Sequence, residues 1–249
     1  MHKGILVAGC GNSGTSLTHA LLGRHSLIYP IEGETGFLCF GGKGEIPIPH
    51  TGEPPDIYLK RIADMYDHNA VQAGCRFWVE KTPPHIRHID KAMQHRVSDK
   101  VILTVRCPLE NIASLKERTG NFQYSIDRYV ADNTHLLEWI SHKHVYIMHL
   151  ELLQAFPSLE SAKLQSFMGL PKQDLTSTQK LVAQRSPYDP KAEHLEHRAW
   201  QISQPITRRR CDWEKILSED EASAIQDACY LLARQLGYDS ISGFSALAE

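Results

Sequence analysis

The chain has 249 residues, of which 42% are hydrophobic, which is enough for one α/β domain with a substantial core. A net charge of −2 argues against a general binder of nucleic acid or of a membrane surface. The six cysteines are scattered without a C-x-x-C pair, and no apolar run approaches the ~20 residues of a membrane span. We therefore expect a cytoplasmic protein with reduced cysteines, without a metal centre, a signal peptide or a membrane anchor.

The first predicted element is a buried strand over residues 5–8, followed by a glycine-rich loop. The loop reads G-C-G-N-S-G from Gly9 to Gly14, and a helical period begins at the next residue. Such an arrangement binds anions, because backbone N–H groups and the positive end of the helix point at the ligand. The sequence therefore predicts a phosphate cradle, with these candidate contacts: Gly11, Asn12, Ser13, Gly14, Thr15 and Ser16.

Two nucleotide-binding patterns compete for this loop. The spacing of Gly9 and Gly14 fits G-x-x-x-x-G-K-[ST], but Thr15 stands where the lysine of that motif belongs. The letters also fit G-x-G-x-x-G, and Glu32 or Glu34 could serve as the acidic residue that a dinucleotide site requires about 20 residues on. A small-molecule or nucleoside kinase and a dehydrogenase therefore remain open at this stage.

The rest of the chain alternates between strands and helices. Strands are predicted over 25–31, 77–80, 100–106 and 145–150, and helices over 57–73, 108–118, 124–142, 158–168 and 219–236, the last capped by Ser218 and stopped at Gly237. Residues 41–56 and 173–204 are predicted to be long loops on the substrate side. This alternation predicts a single α/β domain over 1–249, with a mostly parallel central sheet between two layers of helices.

Polar residues follow four of the predicted strands. The glycine loop follows the first strand, Glu34 comes soon after the second, Glu80 and Lys81 end the third, and Arg106 ends the fourth. Ligands of parallel sheets bind outside the carboxyl ends of the strands. We therefore expect these groups to converge on one crevice and to form a single active site.

In this order, the motifs resemble those of the sulfotransferases that use 3′-phosphoadenosine 5′-phosphosulfate (PAPS). Residues 9–17 look like the 5′-phosphosulfate loop of this family, and Glu34 lies where its acidic residue is found. The W-V-E-K-T-P-P-H segment at 78–85 and V-R-C-P at 105–108, with Ser114, look like two further family motifs. Its C-terminal sequence landmarks have counterparts at 151–157, 167–171 and 236–238. The resemblance covers nearly the whole chain and is nearest the carbohydrate and tyrosylprotein branches. It implies a P-loop-like α/β fold.

The resemblance also implies roles for the matching residues. The glycine loop would hold the 5′-phosphosulfate, and Arg106 with Ser114 would hold the 3′-phosphate. Glu34 would be the base for the acceptor hydroxyl, with Glu80 as the runner-up and Glu32 as a distant third. Lys81 would neutralise charge that develops on the sulfuryl group and the bridging oxygen. The product would be adenosine 3′,5′-bisphosphate and no metal would be required. A glycan hydroxyl is the first expectation for the acceptor, and a small molecule or a peptide is the alternative.

One position departs from the family. Most members carry Lys or Arg at the position of Asn12, which can donate a hydrogen bond but brings no charge. Either Lys81 or His85 then supplies the missing charge, or catalysis is slow, or the protein binds a nucleotide without turnover. The last case would make it a nucleotide-binding protein rather than an enzyme.

Overall fold

The central sheet consists of five parallel strands in the order β2-β3-β1-β4-β5. The computed structural model describes residues 3–39, 54–98, 100–176, 206 and 211–245. Most of the predicted loops 41–56 and 173–204 lies outside these residues. The strands are β1 Gly4–Gly9, β2 Ile28–Pro30, β3 Phe77–Lys81, β4 Lys100–Val105 and β5 Val145–His149.

Helices cover both faces of the sheet. They are α1 Thr15–Leu22, α2 Pro55–Gln72, α3 Ile89–Gln94, α4 Pro108–Thr119, α5 Phe122–Leu137, α6 Leu150–Ala155, α7 Pro157–Phe167, α8 Trp213–Ile216 and α9 Glu219–Gln235. Successive residues of a strand face opposite sides, so Leu6 and Ala8 join the core beneath α2, α4, α5 and α9. Ile5 and Val7 join a second core beneath α1 and α7. The predicted three-layer α/β class is confirmed.

Several element boundaries differ from the prediction. Strand β2 has only three residues. Helix α2 begins at Pro55, inside the predicted loop 41–56, because proline is well suited to the first turn of a helix. Leu150 begins α6 instead of ending β5. The segment after β3 forms a 3₁₀ helix, Pro83–His88, for which no element was predicted from the sequence.

The described start of the predicted loop 173–204 lies away from the carboxyl ends of the strands. The Gln173 side chain accepts from the N–H of Ser26 and donates to its hydroxyl, and Arg24 donates to the Leu175 carbonyl. Ser26 precedes β2 and therefore lies at the amino end of that strand. Residues 177–204 lie outside the described part of the chain, so the substrate-side location of this loop stays a prediction.

Candidate functional site

The glycine loop connects the central strand β1 to the N-terminus of α1. Gly14, the N-cap of α1, has a left-handed φ of 99°, and a Cβ there would lie 2.8 Å from the side chain of Leu150. A Cβ at Gly9 would lie 2.4 Å from the Thr104 hydroxyl. Both positions therefore require glycine. Since Gly14 has no side chain to cap α1, the first N–H groups of this helix are left to a ligand.

Two side chains of α4 hold this loop in place. The amide of Asn111, which is completely buried, donates to the Gly11 carbonyl at 2.7 Å. The amide of Asn12 donates in the other direction, to the carbonyl and the hydroxyl of Ser114 at 3.0 and 3.1 Å. The structure thus brings the predicted residues Asn12 and Ser114 into direct contact.

The hydroxyl of Ser13 is used within the protein. It donates to the Cys10 carbonyl at 2.6 Å and lies 2.7 Å from the Thr104 hydroxyl, and Ser13 is completely buried. The backbone N–H of Ser13 also donates to the Cys10 carbonyl, at 3.2 Å, so Ser13 fixes the loop through both its side chain and its backbone. Thr15 is buried and Ser16 is half-buried in the first turn of α1.

Arg106 lies beside the loop, as predicted. One terminal nitrogen donates to the Asn12 carbonyl at 3.4 Å and the other pairs with Glu110 at 2.8 Å. Burial alone would lower the pKa of the Arg106 guanidinium, but the charge and the hydrogen bond of Glu110 raise it. The Nε atom of Arg106 is buried and has no hydrogen-bond partner among the residues that the structure describes. A buried donor of this kind fits an anionic oxygen of a ligand.

Two further arginines reach the loop and were not predicted from the sequence. A Cβ on Gly11 would lie 3.3 Å from a terminal nitrogen of Arg118 and 3.6 Å from one of Arg128. Nε of Arg128 pairs with the completely buried carboxylate of Asp132 at 3.3 Å, and Nε of Arg87 pairs with the same carboxylate at 2.6 Å. Arg118 and Arg128 thus bring two guanidinium groups to this side of the loop.

The sequence did contain a signal for Arg118. It lies four residues after Ser114 and therefore one helical turn further along the same face of α4. For Arg128 and Asp132 no such signal exists, because their position depends on how α5 packs against α4 and the loop.

Lys81 and Glu34 form an ion pair at the carboxyl end of β3. Lys81 is paired in register with Val7 of β1, so the ammonium group lies on the strand next to the one that leads into the glycine loop. Both side chains are largely buried, with 4% of Lys81 and 12% of Glu34 exposed. The structure thus brings together the predicted base and the predicted charge-stabilising group.

Glu80 and His85 lie behind this pair, and both side chains are completely buried. One oxygen of Glu80 accepts from the Thr35 N–H, the Thr35 hydroxyl and the Thr82 hydroxyl, and the other lies 3.1 Å from Nδ1 of His85. Burial alone would raise the pKa of this carboxyl, but its interactions with His85, Thr82 and Thr35 outweigh burial and lower the pKa to about 2. Glu80 is therefore a fixed anion at neutral pH.

His85 is completely buried, and its two ring nitrogens face Glu80 and the N–H of Leu38. Because this ring is enclosed by Glu80 and Leu38, Lys81, which lies on the strand next to β1, is favoured over His85 as the source of positive charge near the loop. No three His, Cys, Asp or Glu side chains form a potential metal site within the part of the chain that the structure describes. None of the described helices is long and apolar enough to span a bilayer.

No protein-family model and no curated protein sequence matches the chain. Among solved structures, the sulfotransferase domain of the Synechococcus PCC 7002 olefin synthase is 18% identical, with a TM-score of 0.62 over 95% of this chain and 94% of that one. The chain has the sulfotransferase fold. The sulfotransferase domain of the curacin biosynthetic pathway is 17% identical, with a TM-score of 0.60 over 96% and 99% of the two chains.

The same fold occurs in a mammalian sulfotransferase. Mouse sulfotransferase SULT7A1, solved in complex with PAP, is 12% identical to this chain and has a TM-score of 0.54 over 93% of this chain and 85% of that one. At these identities the similarity establishes the sulfotransferase fold. What this chain binds and transfers has to be argued from its own site.

Proposed function

We propose that this protein transfers a sulfuryl group from PAPS to a hydroxyl acceptor. The observation that carries the proposal is the ion pair of Lys81 and Glu34 on a sulfotransferase fold, one strand away from the glycine loop. A carboxylate that can take a proton and an ammonium that can balance negative charge are the two groups that sulfuryl transfer to a hydroxyl requires.

The donor is proposed to lie along the glycine loop and α4. The N–H groups of the loop and of the first turn of α1 would hold its 5′-phosphosulfate. Arg106, through its buried Nε, and Ser114, through its hydroxyl, would hold its 3′-phosphate. Because Asn12 donates to the Ser114 oxygen, the Ser114 hydroxyl proton remains available for a phosphate oxygen. Arg118 and Arg128 would add positive charge on the same side.

The donor supplies an activated sulfuryl group, and the protein positions the acceptor and balances charge. Transfer of this kind has a loose transition state, so positioning and electrostatics account for most of the catalysis. Glu34 accepts the proton of the acceptor hydroxyl as the new oxygen–sulfur bond forms. The bond from sulfur to the donor's phosphate oxygen breaks, and Lys81 balances the charge that grows on that oxygen. The products are a sulfate ester and adenosine 3′,5′-bisphosphate.

We propose a carbohydrate hydroxyl as the first acceptor to test, since the sequence motifs are nearest those of the carbohydrate and tyrosylprotein branches. In the structure, 12% of the Glu34 side chain is exposed, so an acceptor oxygen can reach the carboxylate. Simple sugars, phenols and small alcohols should be compared with tyrosine peptides in one screen.

Calorimetric titration with adenosine 3′,5′-bisphosphate, ADP, ATP with magnesium and NAD tests the donor. We expect binding of the bisphosphate with at least tenfold preference over the other three, because the 3′-phosphate contacts are specific to it. Preference for ATP would support the kinase interpretation, and preference for NAD the dehydrogenase interpretation. Binding to none of the four would refute the proposed donor site.

A nucleotide-binding protein without turnover is the second candidate, and Asn12 is the observation that favours it. Its side chain is neutral and bonded to Ser114. Tight binding of PAPS without release of bisphosphate, in the presence of the full acceptor screen, would identify this case.

A further inference from the structure

Three amide groups in the segment that follows Glu34 are bound by side chains from the end of β3 and from the turn and 3₁₀ helix after it. The N–H of Thr35 donates to Glu80 at 3.1 Å, that of Gly36 donates to the Thr82 hydroxyl at 3.1 Å, and that of Leu38 donates to Nε2 of His85 at 3.3 Å. The segment belongs to neither a helix nor a strand. These side chains therefore satisfy backbone N–H groups that would be bonded to other backbone groups in a helix or a strand.

Consecutive residues of this segment contact consecutive residues at the end of β3. Glu34 pairs with Lys81, and the next residue, Thr35, binds Glu80. Because successive residues of a strand face opposite sides, Glu80 and Lys81 bind the segment through contacts on opposite sides of β3. A displacement of Thr35 would consequently move Glu34 away from the Lys81 ammonium.

Glu80 is out of reach of a substrate hydroxyl, because its side chain is completely buried. One of its oxygens already accepts three hydrogen bonds, and the other faces His85. A general base must come within hydrogen-bond distance of the acceptor hydroxyl. Glu34, which is partly exposed, meets this condition and Glu80 does not.

We propose that Glu80 and His85 are positioning residues, which hold residues 35–38 so that the Glu34 carboxylate stays against Lys81. The inference rests on the proposed function, since it says how the proposed base is kept in place. The aromatic ring of Phe37 strengthens the arrangement, because it packs edge-on against His85 with ring centroids 5.0 Å apart. Glu80 thus takes part in transfer through Glu34 and exchanges no proton with substrate.

Amide hydrogen exchange tests the positioning without any substrate. In Glu80→Ala we expect exchange at Thr35, Gly36 and Leu38 to rise at least about tenfold. Thr35 loses its bond to a charged, buried acceptor, and Thr82 and His85, which bind Gly36 and Leu38, lose the carboxylate that they contact. In Glu80→Gln the rise should be smaller, because the amide oxygen still accepts from Thr35. Glu160→Gln is the matched control, since Glu160 is also a buried, paired carboxylate but lies on α7. Unchanged exchange in Glu80→Ala would overturn the proposal.

Transfer kinetics separate a positioning residue from a base. Bisphosphate release from PAPS is measured with the hydroxyl acceptor that gives the highest wild-type rate, or with water if none exceeds it. Because Glu80 is a positioning residue, Glu80→Gln should cost far less than the ~10²–10⁴-fold loss in kcat that follows removal of a base, and the KM for PAPS and the acid limb of the pH profile should be unchanged. If Glu80→Gln is as inactive as Glu34→Gln, Glu80 is the base and the proposal is wrong.

Thr35→Val provides a second variant in case Glu80→Ala does not fold. It removes the hydroxyl bond to Glu80 while no group that could accept a substrate proton is changed. We expect slower transfer with unaltered bisphosphate affinity, and an unaltered rate would contradict the positioning role. Titration of the wild type with the bisphosphate tests the proposed function separately. If the bisphosphate does not bind, the proposed function is wrong, whereas the exchange experiment still tests whether Glu80 and His85 hold residues 35–38.

Discussion

The side-chain amide of Asn12 donates to both the carbonyl and the hydroxyl oxygen of Ser114, at 3.0 and 3.1 Å. This contact joins the loop proposed for the 5′-phosphosulfate to the helix proposed for the 3′-phosphate. The backbone of Asn12 has a φ of 64°, a conformation that asparagine tolerates better than most residues do. A neutral residue at this position therefore has a structural role, which the sequence comparison with the family had presented only as a missing charge.

Asn12→Asp should weaken the binding of adenosine 3′,5′-bisphosphate by at least about tenfold. The change replaces a donor by a carboxylate beside Ser114 and beside the proposed phosphate positions, while the size of the side chain is kept. Calorimetric titration measures the loss, with Asn69→Asp on the distant helix α2 as the control. Equal affinity in the variant and the wild type would exclude a phosphate from this part of the loop.

Arg106→Ala should also weaken bisphosphate binding at least about tenfold, because a charge-assisted contact to the 3′-phosphate is lost. Arg106→Lys should recover part of the affinity, since it keeps the charge but not the planar fork. Arg76→Ala is a suitable control, because Arg76 is exposed and packs on Phe77 away from the loop. If Arg106→Ala binds the bisphosphate as tightly as the wild type, Arg106 does not contact the 3′-phosphate and its role is limited to the ion pair with Glu110.

Glu34→Gln should reduce sulfuryl transfer by ~10²-fold or more and leave bisphosphate affinity unchanged, since the base is removed while the donor contacts remain. The comparison is with Glu32→Gln, which alters an exposed carboxylate two residues earlier. Rates of bisphosphate release from PAPS measure the effect. Retained activity in Glu34→Gln would require another base.

Stability should fall as the pH is lowered from 6.5 toward 4, and His19 should account for part of this fall. Burial, followed by the charge of Lys81, lowers the pKa of His19 to about 4 from its usual value of 6.5. Within this range the unfolded chain binds a proton that the folded protein does not, so the free energy of unfolding decreases as the pH falls. Over two pH units the contribution of His19 is about 2–3 kcal/mol.

His19→Gln should flatten this pH dependence, since glutamine can still donate to the Val79 carbonyl that His19 contacts at 3.1 Å but does not titrate. Denaturant unfolding at pH 6.5 and 4.5 measures the difference, with the exposed His68→Gln as the control. Some dependence should remain, because burial also lowers the pKa of His149. The low pKa of Glu80 makes stability fall only when the pH drops below 4.5, the usual pKa of a glutamate. Identical slopes for His19→Gln and the wild type would contradict the assignment.

The part of the site that could be predicted from the sequence consists of residues at the ends of strands. Glu34, Lys81 and Arg106 follow apolar runs, and parallel strands end at one edge, so their convergence follows from topology. The contacts of Asn12 with Ser114 and of Thr35 with Glu80 could not be predicted in this way. They depend on the distance between two segments that are remote in the chain, and no local period encodes that distance.

The central position of β1 affects when the phosphate cradle can form. Gly4 pairs with Trp78 and Ile5 pairs with Lys100, so both neighbours of β1 are far along the chain. During synthesis the first strand therefore has no neighbour until β3 has emerged from the ribosome, and its other edge stays unpaired until β4 follows. A chain truncated before β4 would consequently expose this strand as an aggregation-prone segment, and it would be a natural binding site for a chaperone.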